Sequence, residues 1–243
     1  MSKVSAKNGI VLIGGYNLST YAMDYEITDT VDPIDVTGLS DGVNNFIPGE
    51  RVASMTANIL WDSAANTVHT AMASLPVSNV TIMPEGYALG NPTFSLPAMQ
   101  GNYSPSGSPS TAISVGSIAW SSSGDNKGIE HGYALAHGTI TTTTTGTGFV
   151  DISGGAVTAA CSGTLHIWTP TSTDTYVVKI QHSTTLGGTY ADLVTFTLNG
   201  TARGSERIAV ASGTINAYRR VLATRTGSAG DSFGFSVHFS HVE

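Results

Sequence analysis

The chain of 243 residues is long enough for one large domain or for two domains of about 100 to 140 residues each. Only 11% of its residues are charged and 40% are apolar, which excludes a disordered chain and predicts a surface largely buried in an assembly. The net charge of −7 arises within residues 1–140, where 11 acidic residues outnumber 4 basic ones, and this excludes DNA binding through clustered lysine and arginine.

The first predicted elements are extended. Residues 1–20 are predicted to form an arm, followed by strands over residues 21–28 and 31–36. A loop rich in Gly, Asn and Pro is predicted over residues 37–50. Residues 52–61 then alternate, which predicts a strand. One of its faces carries Val52, Ser54, Thr56, Asn58 and Leu60, and the other carries Ala53, Met55, Ala57, Ile59 and Trp61.

One helix is predicted over residues 64–75, where apolar side chains recur at helical spacing. Asp62 or Ser63 is expected to cap its first turn, and Pro76 to end it. Further strands are predicted over residues 77–83, 93–103, 112–120 and 133–140, with a loop over residues 104–110.

A segment rich in Thr and Gly, residues 141–148, is predicted to link two domains. After it, short strands separated by Gly-containing turns recur about seven times, a pattern typical of a β-sandwich. We therefore predict a mainly β chain with an N-terminal β-sandwich or barrel domain carrying one short helix (residues 1–140) and a C-terminal β-sandwich domain (residues 149–243).

The sequence offers little catalytic or metal-binding chemistry. It contains no nucleophile elbow, phosphate-binding loop or dinucleotide fingerprint, so we predict neither an enzyme nor a cofactor. The seven histidines are dispersed, and no metal site is predicted. The one cysteine, Cys161, excludes an intrachain disulfide and is expected at a small buried position.

Two charged clusters need an interpretation. The acidic residues between positions 24 and 50 lack the spacing of a calcium-binding loop, so we interpret them as a negatively charged face. Arg219, Arg220 and Arg225 predict a small basic patch that could bind an anion or a glycan. The alternative is a sandwich face on which neighbouring acidic residues balance the arginines.

Several segments, taken in order, resemble the tail tube (major tail) proteins of long-tailed, siphovirus-like bacteriophages. The resemblance covers roughly residues 15–140. Residues 149–243 are similar to the β-sandwich modules that such tail proteins often carry. The segments that resemble the tube proteins are residues 34–41 (IDVTGLSD), 45–50 (NFIPGE), 55–62 (MTANILWD), 101–105 (GNYSP) and 128–135 (GIEHGYAL).

This resemblance implies a structural protein that assembles with itself. Its hexameric rings would join their inner sheets into one barrel and stack into a hollow tube, through which DNA passes during ejection without specific binding. We expect Asp24, Glu26, Asp29 and Asp32 to line the lumen. The loop candidates for ring-to-ring contact are Thr37, Asp41, Phe46, Ile47, Pro48 and Glu50.

The implied partners are further copies of the chain together with tape measure, tail terminator and tail tip proteins. The implied location is the virion tail, assembled in the host cytoplasm, with no membrane insertion by this chain. Two alternatives stay open. One is another virion protein, a capsid decoration or tail terminator protein. The other is a carbohydrate-binding or host-surface-binding module, for which Trp168, Tyr176 and Tyr190 are the candidate sugar platforms.

Overall fold

The computed structural model describes residues 8–38, 42–122, 128–150 and 156–241. Within these residues the fold is mainly β, with one short helix, α1 (Val68–Met72), as predicted. The strands of the first half are β1 (Ile10–Ile13), β2 (Tyr16–Asn17), β3 (Ala22–Asp35), β4 (Phe46–Leu60), β5 (Val77–Met83), β6 (Pro92–Gln100), β7 (Pro105–Ser106), β8 (Ser114–Ser122) and β9 (Glu130–Ile140). Those of the second half are β10 (Thr144–Thr145), β11 (Phe149–Val150), β12 (Val157–Thr169), β13 (Thr175–Ser183), β14 (Ala191–Thr195), β15 (Gly204–Ile215), β16 (Tyr218–Thr226) and β17 (Phe233–His241).

The strands form two antiparallel sheets. The larger, twelve-stranded sheet has the order β15-β12-β17-β9-β6-β5-β1-β2, and a branch leads from β6 through β8 and β4 to β3. The smaller, five-stranded sheet has the order β10-β16-β13-β14, with β11 also paired to β16. We call the part of the large sheet formed by β5, β6, β8, β4 and β3 the N-terminal sheet. Strand β3 forms its outer edge.

The first hydrophobic core lies on one face of this branch. Ala53, Met55, Ala57 and Ile59 of β4 are at most 1% exposed, so the core covers this one of the two predicted faces. They pack with Trp120 of β8, with β1, β5 and β6, and with α1, which covers the core from the side. The opposite face of β4 is left open to solvent.

The second core fills the space between the two sheets. Strands β9, β12 and β17 of the large sheet face β13, β14 and β16 of the small one, and apolar side chains from both sheets interdigitate. Tyr176 stacks on Phe233 with ring centroids 4.4 Å apart, and Phe233 stacks on Phe235 at 4.9 Å. This is the β-sandwich arrangement that the sequence predicts.

The N-terminal residues do not form the predicted arm. Ile10–Ile13 form β1, which pairs with β5 so that Val11 lies opposite Ile82. Val11, Leu12 and Ile13 are at most 1% exposed. A strand buried on both faces is a short continuous apolar run without alternation, so the pattern does not reveal it. The predicted arm is therefore wrong for residues 10–17, and residues 1–7 lie outside the described part of the chain.

Helix α1 is shorter than predicted. Asn66 has a φ of 65°, a left-handed conformation that asparagine tolerates but that interrupts a helix. The Asp62 carboxylate accepts the N–H of Ala64 at 2.8 Å and so stabilises the turn that precedes the helix. Leu75, also left-handed with a φ of 51°, follows the helix end.

The two halves are joined by backbone pairing. Strand β17 lies between β12 and β9, so the last described strand pairs with one that precedes residue 141. Within residues 141–148, β10 pairs with β16. The domain boundary at residues 141–148 stays a prediction.

A buried polar layer separates the two cores. The Nδ1–H of His166 donates to the Gly14 carbonyl at 2.8 Å, and Thr81 Oγ1 lies 2.8 Å from His166 Nε2. Because a carbonyl only accepts, the proton is on Nδ1 and the hydroxyl of Thr81 donates to Nε2. Ser95 Oγ lies 2.9 Å from the same hydroxyl. The chain of bonds connects β12 with β5 and β6 and holds His166 neutral, and burial lowers its pKa to about 4.

An ion pair also connects the two halves. The Arg207 guanidinium on β15 donates to both carboxylate oxygens of Glu130 on β9, with Nε 2.9 Å from each. The two side chains are 17% and 12% exposed. Ser162 Oγ also donates to Glu130, at 2.9 Å. The pair thus links strands from both halves and lines a partly open cavity of about 420 Å³.

Replacing Arg207 with methionine is expected to lower the free energy of unfolding by about 1.5–3 kcal/mol, because the partly buried Glu130 carboxylate would lose its charged hydrogen-bond partner. Urea unfolding of the monomer measures this loss. The double variant Glu130→Gln with Arg207→Met is expected to regain most of it. Lys179→Met is the matched control, since Lys179 and Asp192 form a more exposed pair and its loss should cost about 1 kcal/mol or less. Equal losses in the two single variants would contradict this account.

Candidate assembly surfaces

The distal half of the β3–β4 hairpin, described over residues 31–38 and 42–52, forms an exposed arm. Seven of the fifteen exposed large hydrophobic side chains in the described residues lie within these 19 positions. Phe46 is 56% and Val43 73% exposed. Soluble monomers rarely concentrate apolar side chains in this way, so the arm is a candidate contact surface. The seven side chains are Val31, Ile34, Val36, Val43, Phe46, Ile47 and Val52.

Local hydrogen bonds order the end of the arm. The N–H of Val36 donates to the Asn45 carbonyl at 2.9 Å, and the N–H of Asn45 donates to Thr37 Oγ1 at 2.9 Å. The Asp35 carboxylate accepts both the N–H and the hydroxyl of Thr37. The tip, which we define as residues 36–47, is therefore closed by backbone and side-chain bonds where it is described.

The strands reach further towards the tip than predicted. Phe46, Ile47, Pro48 and Glu50 belong to β4, not to a loop, because Asp35 pairs with Phe46 and Ile34 with Ile47. Thr37 follows the end of β3, and Asp41 lies outside the described residues. A strand with both faces exposed shows no alternation of apolar and polar residues, which explains why the sequence favoured a loop.

Gly49 lets the two strands of the arm approach closely. A Cβ atom at this position would collide with the carbonyl oxygen of Asp32. The collision point lies at the irregularity between Val31 and Pro33, where one strand carries an extra residue. Glycine at position 49 is thus required by the path of the arm.

The open face of the N-terminal sheet is polar and mostly uncharged. Asp24 and Glu26 on β3 pair with Asn58 and Thr56 on β4, and Thr56 pairs in turn with Ala119 on β8. Directly paired side chains project from the same face of an antiparallel sheet. The open face, as we define it, carries two carboxylates and no cation: Asp24, Glu26, Thr28, Ser54, Thr56, Asn58, Ala119, Ser121, Met99 and Val77.

The predicted lumen residues do not share one face. Asp29 is an odd number of residues away from Asp24 and Glu26 on β3, so its side chain lies on the opposite side of the sheet. There the Arg51 guanidinium donates to its carboxylate. These hydrogen bonds lower the pKa of Asp29. Asp32 is exposed at the strand irregularity of the arm. Asp24 and Glu26 are thus the two candidates that the sheet places side by side.

The predicted basic patch is not formed. Arg219 is fully buried, because it faces the core side of β16. The Arg220 guanidinium lies 3.9 Å from the centre of the Tyr190 ring, and Arg225 Nε donates to Asp174 at 2.8 Å. Neighbouring residues of a strand point to opposite faces, so closeness in sequence did not bring the three guanidinium groups together.

The predicted sugar platforms are also occupied by contacts within the chain. Tyr176 is fully buried in the second core. The ring of half-buried Trp168 packs on His137 with centroids 4.7 Å apart, and Tyr190 is covered by Arg220. Cys161 is buried, as predicted, and burial raises the pKa of its thiol.

A groove that the sequence analysis missed lies at the end of β4 opposite the tip. The indole N–H of Trp61 donates to Tyr103 Oη at 2.9 Å, and the Tyr103 hydroxyl lies 2.8 Å from His69 Nδ1. The groove encloses about 490 Å³. Its main side chains are Trp61, His69, Tyr103, Pro105, Pro109 and Ile113. Trp61 lies just beyond the end of β4 and is partly exposed, which the alternation over residues 52–61 does not reveal.

Searches for two other kinds of site give negative results. Across the described ranges, no three His, Cys, Asp or Glu side chains come together in a way that would hold a metal ion. Among the same residues, no helix has the length and apolar character needed to cross a membrane.

No protein-family model and no curated protein matches the chain. Three solved structures are similar to it in part. A chain in the virion of a native gene transfer agent particle is 16% identical over 50% of this chain and 95% of its own length, with a TM-score of 0.42. A chain in the tail of an empty gene transfer agent particle, refined with C6 symmetry, is 18% identical over 43% of this chain and 78% of its own, with a TM-score of 0.36. The SPP1 Dit protein, described as a hub adsorption apparatus protein of phages infecting Gram-positive bacteria, is 10% identical over 97% and 99%, with a TM-score of 0.34.

Proposed function

We propose that this chain is a structural subunit of a bacteriophage tail tube, which assembles into hexameric rings that stack into a hollow conduit for the genome. The observation that carries the proposal is the exposed arm, with its seven half-exposed apolar side chains. Covering the remaining exposed area of each would contribute about 1 kcal/mol, so together they offset a large part of the cost of association. The low content of charged residues and the tube-like segments of residues 15–140 support the same function.

The edge of the N-terminal sheet supports assembly within a ring. Strand β3 has 14 residues and, in the described part of the chain, pairs with β4 alone. Long unpaired edges are ready to accept a strand from another chain, and natural proteins normally protect them. In the proposed ring, β3 of one subunit joins the sheet of its neighbour, so the open faces of six subunits form the wall of the lumen.

The composition of the open face suits a conduit for DNA. Hydroxyl and amide side chains predominate, and the carboxylates of Asp24 and Glu26 repel phosphate. The proposed partners are therefore further copies of the chain, tape measure, tail terminator and tail tip proteins, with DNA passing through. The proposed location is the virion tail.

Reversing one charge of the open face tests its position. Glu26→Lys is expected to make assembled tubes retain a double-stranded oligonucleotide at about 50 mM salt and release it at about 200 mM, because phosphate contacts weaken with salt. Co-sedimentation of labelled DNA with the tubes measures retention. Glu85→Lys changes the net charge equally at an exposed turn between β5 and β6 and is the matched control. Equal DNA retention by the two variants would contradict the proposed position of Glu26 in the lumen.

The size of the assembly tests the function itself. Electron microscopy of the purified protein is expected to show tubes many rings long. Assemblies that stop at one ring would favour a tail terminator instead. A protein without rings or tubes would overturn the proposal and favour a binding module.

A further inference from the structure

We infer that the aromatic groove beside α1 receives the arm tip of a second copy of this chain. The inference rests on the proposed self-assembly and names the surface that the arm contacts. Both surfaces are on the same chain, and both are apolar. The groove is formed by Trp61, His69, Tyr103, Pro105, Pro109 and Ile113, and the tip presents Val36, Val43, Phe46 and Ile47.

The geometry of β4 keeps the two surfaces of one chain apart. Phe46 begins β4 at the tip, and Trp61 directly follows its last residue, Leu60, at the groove. Fifteen extended residues span about 50 Å. The intervening strand is paired with β3 along its length and with β8 over its second half, so it does not fold back on itself. The tip therefore reaches a groove only on another copy.

The chemistry of the two surfaces is complementary. The groove lining, which also includes Ser106, Gly107 and Ser108, contains no carboxylate, lysine or arginine, and the four tip side chains are aliphatic or aromatic. Contact between them removes apolar surface from water without burying an ion. The Trp61–Tyr103–His69 hydrogen bonds already satisfy the polar atoms between the rings, so an incoming Phe46 needs to break none of them.

The contact joins two different surfaces and is therefore heterologous. Each subunit offers one tip and one groove, so the contact repeats from copy to copy and yields an open polymer rather than a closed pair. Successive subunits are offset along β4 by at most its length, about 50 Å. We therefore expect an axial repeat of about 50 Å or less, shorter if β4 is tilted from the tube axis.

Disulfide trapping tests the contact. In a Cys161→Ser background, Val43→Cys with Ile113→Cys keeps Phe46 and Ile47 as anchors. Phe46→Cys with Pro105→Cys is a second pair at other positions. Mild oxidation of assembled protein is expected to give a ladder of covalent dimers, trimers and longer species in at least one pair, because each subunit links to two neighbours. Val43→Cys with Val177→Cys, whose second position is exposed on β13, is the matched control and should give no ladder.

The outcomes separate this inference from the proposed function. Tubes by electron microscopy without a ladder from either pair would overturn the docking of the tip in the groove and leave the tube function standing. A ladder also formed by the control pair would show non-specific collision and would equally overturn it. If a cysteine pair prevents assembly although the Cys161→Ser parent forms tubes, Ile113→Ser decides: loss of tubes in this variant would support the inference, and normal tubes would overturn it. A parent that forms no assembly overturns both proposals.

Discussion

Replacing Phe46 and Ile47 together with serine is expected to leave a folded protein that no longer forms tubes. Both side chains are about half exposed in the single chain, so their loss should change the free energy of unfolding by no more than about 0.5 kcal/mol each. In the assembly they are the anchors of the arm, and truncating a buried anchor typically costs 2 kcal/mol or more of binding free energy. Because the contact repeats in every subunit, we expect only monomers or single rings.

Sedimentation velocity at matched protein concentration measures this change in size. Leu186→Ser is the matched control, because Leu186 is 54% exposed, close to the 56% of Phe46, but lies between β13 and β14, far along the chain from the arm. The control is expected to form tubes like the parent. Tubes of normal length from the Phe46→Ser, Ile47→Ser variant would contradict the assignment of the arm to ring-to-ring contact.

Acidification is expected to destabilise the junction between the two halves. His166 is fully buried, and its ring nitrogens bind Thr81 and the Gly14 carbonyl as a neutral imidazole. Burial lowers its pKa from 6.5 to about 4. Between these values the unfolded chain binds a proton that the folded chain does not. The stability that neutral His166 contributes is therefore fully present above pH 6.5. It is lost as the pH falls through 4, and the free energy of unfolding then decreases by about 3 kcal/mol in total.

The two histidines near His166 also disfavour protonation in the folded state. His238 on β17 lies with its ring centroid 5.8 Å away, and its own pKa is lowered by burial. His137 on β9 has its pKa lowered by burial as well. The remaining groups that bond to His166 or to its partner, Thr81 and Ser95, do not titrate in this range. Protonation therefore adds positive charge to a buried layer that already contains two other histidines.

Chemical denaturation of the monomer at pH 8, 6 and 4.5 measures this dependence. His166→Gln is expected to lose about 2.5 kcal/mol less than the parent between pH 8 and pH 4.5, whatever its stability at pH 8. The control is His69→Gln, an exposed position that should keep the slope of the parent. A His166→Gln variant with the pH dependence of the parent would assign the loss to other groups.

Local patterns in the sequence predict the elements whose faces differ in polarity. The alternation over residues 52–61 correctly predicted a strand and which residues share each face, and the bounds of β5 agree with the prediction. The repeated short strands of the second half correctly predicted a sandwich. In these segments one face of the strand packs on a core and the other is exposed to solvent, so the alternation of apolar and polar residues follows the burial of the side chains.

Elements with the same environment on both faces escaped prediction. Strand β1 is apolar on both faces, and both faces are buried. The end of the arm is also apolar on both faces, but both faces are exposed. Composition alone does not separate these cases. The pairing of β17 with β9 joins residues about 100 positions apart, and the ion pair of Glu130 with Arg207 joins residues 77 apart. Such contacts depend on topology, which local patterns do not encode.

The candidate site was predicted in part. The segment that includes Phe46 and Ile47 was identified by family resemblance, but its exposure and its extension into β4 come from the structure. Of the acidic candidates, Asp24 and Glu26 lie together on the open face, whereas Asp29 binds Arg51 on the other side of the sheet. The groove at Trp61 depends on side chains from three segments of the chain and has no local signature.

Electron microscopy of the purified chain over a series of increasing concentrations tests the central claim most directly. Self-assembly through the arm predicts hollow tubes or six-fold rings, with an axial repeat of about 50 Å or less in the tubes. Dispersed monomers at every concentration would contradict the claim that this chain builds a tube.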